Sequence, residues 1–376
     1  MAGNDSYRVC KRCVMDSSVR GIHFDQNGVC NYCHDFDTHI DSFRFSDAGS
    51  EKRLASLVKK IKDAAKGKEY DSIVGLSGGV DSSYVAFLAH KLGLKPLAIH
   101  FDNGWNSEIA VSNIKKIVNK CGFDLETYVI HWPEFRDLQR SFLKASVIDI
   151  EMVTDHAIFA AMFHYAKKYK IKYVLSGTNF TTEHGMPNGW TWRKSDIINI
   201  RDIQHRFGTL KIKSYPTMGS LEFALIRKLE IPFGYIELLN AVNYRKNDAM
   251  TVLKNEFNWE YYGGKHYESV FTKFYQGYIL PKKFGIDKRM VHWSALVRNG
   301  EMTREEACKE IARPIYTDVE LQADKEYVCK KLEFSEQEFN DIMDDSPREH
   351  LFYKSDQRYL DIYTQLYKIL KKSIRS

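Results

Sequence analysis

Residues Ser72-Ile73-Val74-Gly75-Leu76 form a short apolar run that passes through Ser77-Gly78-Gly79-Val80-Asp81-Ser82-Ser83 straight into a helical pattern carrying Val85, Leu88, Ala89 and Leu92. Few arrangements satisfy that succession: a buried strand, a tight glycine turn, and a helix that packs back on the strand. The alternation continues. Pro96 to Phe101 reads as a second strand, Ser107 to Cys121 as a helix with Ile114, Ile117 and Val118 on one face, and Leu125 to Ile130 as a third strand. A helix from His156 to Lys168 leads to a fourth strand at Tyr173-Val174-Leu175. Short apolar strands separated by amphipathic helices predict an α/β fold with a parallel sheet. A helix over Glu51 to Lys66, with Leu54, Leu57, Val58 and Ile61 on one stripe, precedes this region. Beyond about Thr217 the alternation fades and helical signals dominate. Thr303 with Glu306, and Ser335 with Glu338, have the spacing of capping boxes. The expected organisation is an N-terminal module over 1–45, a parallel-sheet domain over 46–217 and a helical C-terminal domain over 218–376 for substrate or partner.

The glycine-rich turn carries the chemistry. Glycines let backbone N–H groups approach phosphate oxygens closely, and the following helix N-terminus contributes partial positive charge. Ser77, Gly78, Gly79, Val80, Asp81, Ser82 and Ser83 are therefore candidate nucleotide contacts. A carboxylate in a site built only for anions would repel them, so Asp81 is expected to act through Mg²⁺. A tight turn capped by Asp81 or Ser82 is the plainer alternative. No lysine follows the glycines at Walker A spacing, which counts against γ-phosphoryl transfer. Phe101 and Asp102 end the second strand, where ligands bind in open parallel sheets.

Four of the seven cysteines form two pairs, Cys10-Lys11-Arg12-Cys13 and Cys30-Asn31-Tyr32-Cys33. Each pair offers two thiolates from one tight turn. Together they close a tetrahedral sphere with no open position, the pattern of structural zinc. Cys121 falls on an apolar helix stripe and reads as core.

The string from Ser77 to Ser83 resembles the PP-loop signature of the N-type ATP pyrophosphatases, which bind pyrophosphate there and transfer AMP to a carbonyl oxygen. Ser176-Gly177-Thr178-Asn179-Phe180-Thr181-Thr182-Glu183 is similar to the corresponding stretch of NAD synthetases, where the acidic residue holds Mg²⁺. That resemblance pairs Glu183 with Asp81 on the metal and lays Gly177 and Thr178 against the nucleotide. Its alternative is an exposed loop carboxylate. The whole chain, with the cysteine pairs, Trp259-Glu260-Tyr261-Tyr262-Gly263-Gly264-Lys265-His266-Tyr267-Glu268-Ser269 and Phe274-Tyr275-Gln276, resembles the N-acetyl sugar amidotransferases of the WbpG and PseA type. The resemblance implies an ATP-dependent C–N ligase, forming AMP and pyrophosphate. It would convert an N-acetyl group of an acidic, UDP-linked or free sugar into an acetamidino group in bacterial O-antigen (lipopolysaccharide) or surface glycan biosynthesis. It also implies ammonia from a separate HisH-like glutaminase with a HisF-like companion. Ala2 at position 2 and the absence of a G-x-C-x-G elbow leave either a glutaminase on another chain or the use of free ammonium. Arg193, Lys194, Lys265 and His266 are candidate donors to an acidic sugar; solvated basic side chains are the alternative for each.

Apolar residues make up 44% of the 376 and charged residues 28%, ordinary for a globular chain. No run approaches a membrane span, and the expected location is cytoplasmic with no membrane partner. The formal charge of +6 is modest for a nucleic-acid binder. The rival reading is a tRNA-modifying PP-loop enzyme of thiolase kind. Arg201, Arg206, Lys211 and Lys213 would serve it, but the fourth strand carries no cysteine for a persulfide.

Overall fold

The computed structural model describes residues 7–220, 234–264 and 267–362. By density of internal packing the chain forms two compact units. One comprises residues 1–129, 162–190 and 232–328; the other comprises 130–161, 191–231 and 329–376.

The first unit is built on a five-stranded sheet with β1 (Ser72–Gly75), β2 (Pro96–Asp102), β3 (Leu125–Val129), β4 (Tyr173–Ser176) and β5 (Gly234–Glu237), in the order β3-β2-β1-β4-β5. Every pairing is parallel, with Ile73 opposite Leu97 on one side and Val174 on the other. The four strands expected from sequence are present. β5 is an addition: Gly-Tyr-Ile-Glu is too short and too polar to announce itself, and only Ile236 of the four is buried. β1 lies at the centre, so the glycine turn that leaves it emerges between β2 and β4, where a parallel sheet opens a crevice.

Four helices open the chain: α1 (Asn31–Ile40), α2 (Asp47–Ala64), α3 (Val80–Lys91) and α4 (Glu108–Cys121). Ser46 caps α2 by accepting from the Gly49 N–H, and Ser107 caps α4 by accepting from the Ala110 N–H. α4 ends at Gly122 in the left-handed region, φ +65°, a conformation that lacks a Cβ penalty only for glycine. Val85, Ala86 and Ala89 of α3 pack with Ile114 and Ile117 of α4 and with Leu253 and Phe257 of the helix Lys246–Phe257. Cys121 belongs to this core, as its helical stripe predicts, and burial pushes its thiol up to about 11. Residues beyond Thr217 are mainly helical in the described regions, and both capping boxes are formed, at Thr303–Glu306 and Ser335–Glu338.

The second unit packs the helix Trp132–Lys144 against Ile197–Phe207. Its loop at 209–215 is held by two buried carboxylates. Glu134 accepts from the backbone N–H groups of Lys213, Ser214 and Tyr215, and Asp137 from those of Thr209 and Leu210. Burial alone would raise both carboxyls, but these hydrogen bonds to the charged form prevail and lower them. Among the described residues no helix is long and apolar enough to cross a membrane.

Candidate active site and cysteine cluster

Gly78 has φ +80°, and a Cβ there would lie 2.4 Å from the carbonyl oxygen of Ala110 in α4. Both facts require glycine, because any side chain would be strained and would strike backbone. Gly79 then caps α3 in extended conformation. Ser77 and Ser82 close the loop on itself. The Ser77 N–H donates to Ser82 Oγ at 3.3 Å, the Ser82 hydroxyl donates to the Gly79 carbonyl at 3.2 Å, and Ser77 Oγ accepts from the Gly79 N–H at 3.3 Å. Ser83 is fully buried.

The second segment closes on the first. A Cβ on Gly177 would lie 3.1 Å from the Asp81 backbone carbonyl carbon and Cβ, so glycine lets the loop after β4 rest on the first turn of α3. Asn179 caps the short helix Phe180–Glu183 by accepting from the Thr182 N–H at 2.9 Å, and the Glu183 carboxylate turns back to accept from the Asn179 N–H at 3.4 Å. Thr178 stays local, paired with Ser176.

Tyr244, which sequence inspection missed, holds the first of these carboxylates, that of Asp81. Its hydroxyl donates to Asp81 Oδ1 at 2.5 Å. Burial, then the charge of Asp81 and its hydrogen bond, with the charges of Glu301 and Glu183, raise this phenol well above its ordinary range. Asp81, in the first turn of α3, and Glu183, in the short helix after β4, both follow carboxyl ends of sheet strands. Two hard oxygen donors over a phosphate loop suit Mg²⁺, which takes one or two carboxylates and completes its shell with substrate phosphates and water.

Phe101 and Asp102, at the carboxyl end of β2, also make contacts within the fold. Phe101 stacks on Tyr128 of β3 with ring centroids 5.3 Å apart. Asp102 accepts from the Gly104 N–H at 2.8 Å and from the Asn106 amide at 3.3 Å, shaping the loop after β2. Arg193 and Lys194 belong to the second unit, where internal groups engage them. Arg193 pairs with Asp356 and donates to Gln357; Lys194 reaches Asp149 at 2.5 Å and Asp155 at 3.0 Å. Lys265 and His266 lie outside the described residues.

The segment after the helix Lys246–Phe257 lies on the loop. The Trp259 indole donates to the Gly78 carbonyl at 3.0 Å, Glu260 and Asn113 exchange two hydrogen bonds, and Tyr262 accepts from the Val80 N–H at 3.2 Å. A Cβ on Gly79 would meet the Tyr262 hydroxyl and the Glu268 carboxylate, each at 3.2 Å. Beside it opens a cavity of about 370 Å³ whose lining includes Asp81, Thr182, Tyr261, Gly277, Lys288 and Trp293. Asp81, at the end of the Gly-rich turn, and residues far along the chain share one chamber.

The four paired cysteines converge. Their sulfurs all lie within 4.8 Å of one another, with Cys10–Cys33 at 3.9 Å and Cys13–Cys30 and Cys30–Cys33 at 3.7 Å. A tetrahedron of thiolates at about 2.3 Å from zinc has sulfur–sulfur edges of about 3.8 Å, so the set fits zinc without rearrangement. All four are fully buried and none is in a disulfide. The three neighbouring thiols, with N–H donation from Cys13, hold Cys10 far below the ordinary thiol range.

Two family models match this chain. Residues 268–370 match the LPS biosynthesis protein WbpG-like C-terminal domain, and residues 71–189 match the queuosine biosynthesis protein QueC. Together the two matches support a PP-loop ATP pyrophosphatase of the WbpG type. An uncharacterized protein of Methanocaldococcus jannaschii is 28% identical over 240 residues, 56% of this chain and 57% of that protein. The glutamine-hydrolyzing GMP synthase of Pyrobaculum aerophilum is 28% identical over 178 residues, 46% of this chain and 30% of that protein. The chain therefore spans less than two thirds of either relative. Solved structures similar to it include NMN synthetase from Francisella tularensis (16% identity, TM-score 0.30, 58% of this chain and 90% of that one). Another is NH3-dependent NAD synthetase from Campylobacter jejuni (14% identity, TM-score 0.30, 72% and 99%). The assignment of this PP-loop enzyme rests on the two family models.

Proposed function

We propose that the enzyme converts the N-acetyl group of an acidic sugar, free or UDP-linked, into an acetamidino group, in lipopolysaccharide O-antigen or surface glycan biosynthesis. The observation that carries this reading is the shared chamber. Asp81 of the PP-loop and Lys288 and Trp293 of the WbpG-like segment line one cavity. An acceptor held by that segment has its reacting group beside the nucleotide loop.

The chemistry balances with ATP and ammonia alone. The acetamido oxygen attacks the α-phosphorus, pyrophosphate departs into the PP-loop, and the resulting O-adenylyl imidate takes up ammonia at carbon. AMP then leaves with the former carbonyl oxygen, and an amidine remains. Mg²⁺ held between Asp81 and Glu183 would neutralise charge on the phosphates. The chain's own part is positioning: loop N–H groups receive pyrophosphate, Tyr244 fixes the Asp81 carboxylate, and the chamber limits water at the imidate. For Val80 to serve the phosphate, the Tyr262 hydroxyl must give up its N–H.

The thiolase alternative is weaker, because among the described residues no cysteine lines the cavity. The deciding experiment is product analysis with ATP, Mg²⁺, ammonium and acidic acetamido sugars. AMP, pyrophosphate and a slightly lighter sugar, NH replacing O, are expected together. AMP release only with tRNA would favour the alternative, and ADP would overturn the reading.

A further inference from the structure

Among the described residues, the chamber holds a cation that no carboxylate answers. Lys288, the residue before the helix Arg289–Asn299, is only 9% exposed and lines the cavity. Its ammonium lies over the Tyr275 ring, 5.6 Å from the centroid, and among the described residues it has no ion-pair partner. The neighbouring arginines differ. Arg289 spends its donors on Asp287 and on the carbonyls of Glu310, Ile311 and Arg313, and Arg313 pairs with Glu310. Lysines are almost never buried to this degree unless paired, and a ring face offsets only part of the lost hydration.

A second donor lies in the same wall. The Trp293 indole N–H is buried and has no acceptor among the described residues, although buried indoles normally find one. The wall itself is irregular: Tyr275–Ile279 is a π-helical turn, a feature frequent at functional sites. It presents Gln276 and Gly277 to the cavity, and a Cβ on Gly277 would come within 2.7 Å of the Tyr316 ring.

We infer that Lys288 and the Trp293 indole N–H bind the anionic group of the acceptor, either the carboxylate of an acidic sugar or the diphosphate of its nucleotide carrier. The inference rests on the proposed amidotransferase reading for the kind of acceptor only. Two donors without an acceptor are the complement of an oxyanion, and an ammonium over a ring is held ready without being neutralised. Lys288 is a binding residue here, not one that touches the reacting carbonyl.

The test compares equilibrium binding of four probes, N-acetylglucosamine and its uronic acid, each free and UDP-linked, by wild type, Lys288→Gln, Lys288→Arg and Trp293→Phe. The anionic probes should lose roughly 10- to 100-fold in affinity with Lys288→Gln, the range for a hydrogen bond to a charged group. Part should return with Lys288→Arg, and Trp293→Phe should lose less than Lys288→Gln. ATP affinity should not change. Loss with the free uronic acid assigns the carboxylate, and loss confined to UDP-linked probes assigns the diphosphate. The ligand-free melting temperature should not fall in Lys288→Gln, since it removes an unpaired charge. Equal binding of the anionic probes by wild type and Lys288→Gln overturns the inference, as does failure of wild type to bind any of them. Binding that depends on Lys288 with no amidine formed would refute the catalytic reading while leaving this one standing.

Discussion

At the scale of single residues, Asp81 serves both structure and chemistry, and the two can be separated. Asp81→Ala removes the acceptor of a buried phenol, which costs about 1–3 kcal/mol of stability through the unsatisfied Tyr244 hydroxyl. Asp81→Asn keeps an oxygen for that hydroxyl and removes the charge. The expected outcome is a near-native melting curve for Asp81→Asn and a lower one for Asp81→Ala. Both should lose about 10²-fold or more in turnover, measured as AMP release. Asn at wild-type rate would remove Asp81 from the metal. A second residue carries a pH dependence. His350 stacks on Trp192, donates through Nδ1 to Asn199 Oδ1 at 2.8 Å and accepts the Asp149 N–H at 3.4 Å, and burial pushes it down to about 4. The folded protein keeps the ring neutral while the unfolded chain protonates it near 6.5, so its stabilisation is present above that value. It is lost as pH falls toward 4, by up to about 3 kcal/mol. Urea midpoints of wild type and His350→Gln should differ most at pH 7 and converge as pH falls toward 4. A gap that stays constant would refute the assignment.

At the scale of elements, the succession from β1 through the loop into α3 was legible because it depends on neighbours in sequence: an apolar run, two glycines, then a 3.6-residue period. The cysteine cluster was legible for the same reason, since two tight turns fix ligand pairs locally. Tyr244 was not, because its bond to Asp81 joins residues 163 positions apart. Lys288 had no signal either; its meaning is its burial, which Ile286-Asp287-Lys288-Arg289 does not announce. Arg193 and Lys194 looked like free donors because the acids that engage them, Asp356 and Asp149, are distant in the chain. Packing also separates two glycines of equal conformation. Gly78 and Gly122 both have positive φ, but a Cβ on Gly78 meets Ala110 backbone while one on Gly122 meets nothing within 4 Å. Gly122→Ala should cost about 1 kcal/mol, and Gly78→Ala at least about 2, by chemical denaturation. Equal costs would mean α4 shifts freely. The cysteine cluster also supports the cavity wall. The Val14 N–H donates to Ser294 Oγ at 3.2 Å, and Arg304 Nε donates to the carbonyls of Cys10 at 3.0 Å and Cys13 at 3.1 Å. Ser294 adjoins Trp293 on the helix that lines the chamber. Cys10→Ser should therefore lose bound zinc, measured by elemental analysis, lower the melting temperature and raise KM for the acceptor more than KM for ATP. Unchanged metal content would remove Cys10 from the cluster.

At the scale of the whole molecule, the question is what supplies nitrogen. In the proposed reaction the PP-loop and its carboxylates would account for activation, and the chamber for an acceptor, but neither would generate ammonia from glutamine. That step needs a nucleophile such as a thiolate. Among the described residues Cys121 is buried with its thiol raised to about 11, Cys329 is buried, the paired cysteines are turned inward on one another, and Cys308 alone is partly exposed, on the helix Arg304–Ala312. A raised, buried thiol is a poor nucleophile at neutral pH. The expected behaviour is turnover with ammonium that glutamine does not replace, until a HisH-like glutaminase and its HisF-like companion are added. Because free ammonia rises with pH, the ammonium-driven rate should climb about tenfold per pH unit below the ammonium pKa while the PP-loop carboxylates stay ionised. Measuring amidine formation with each nitrogen source across pH 7 to 9 decides it. A glutamine-driven rate from the purified chain alone, flat in pH, would place a glutaminase within this polypeptide and overturn the division of labour proposed.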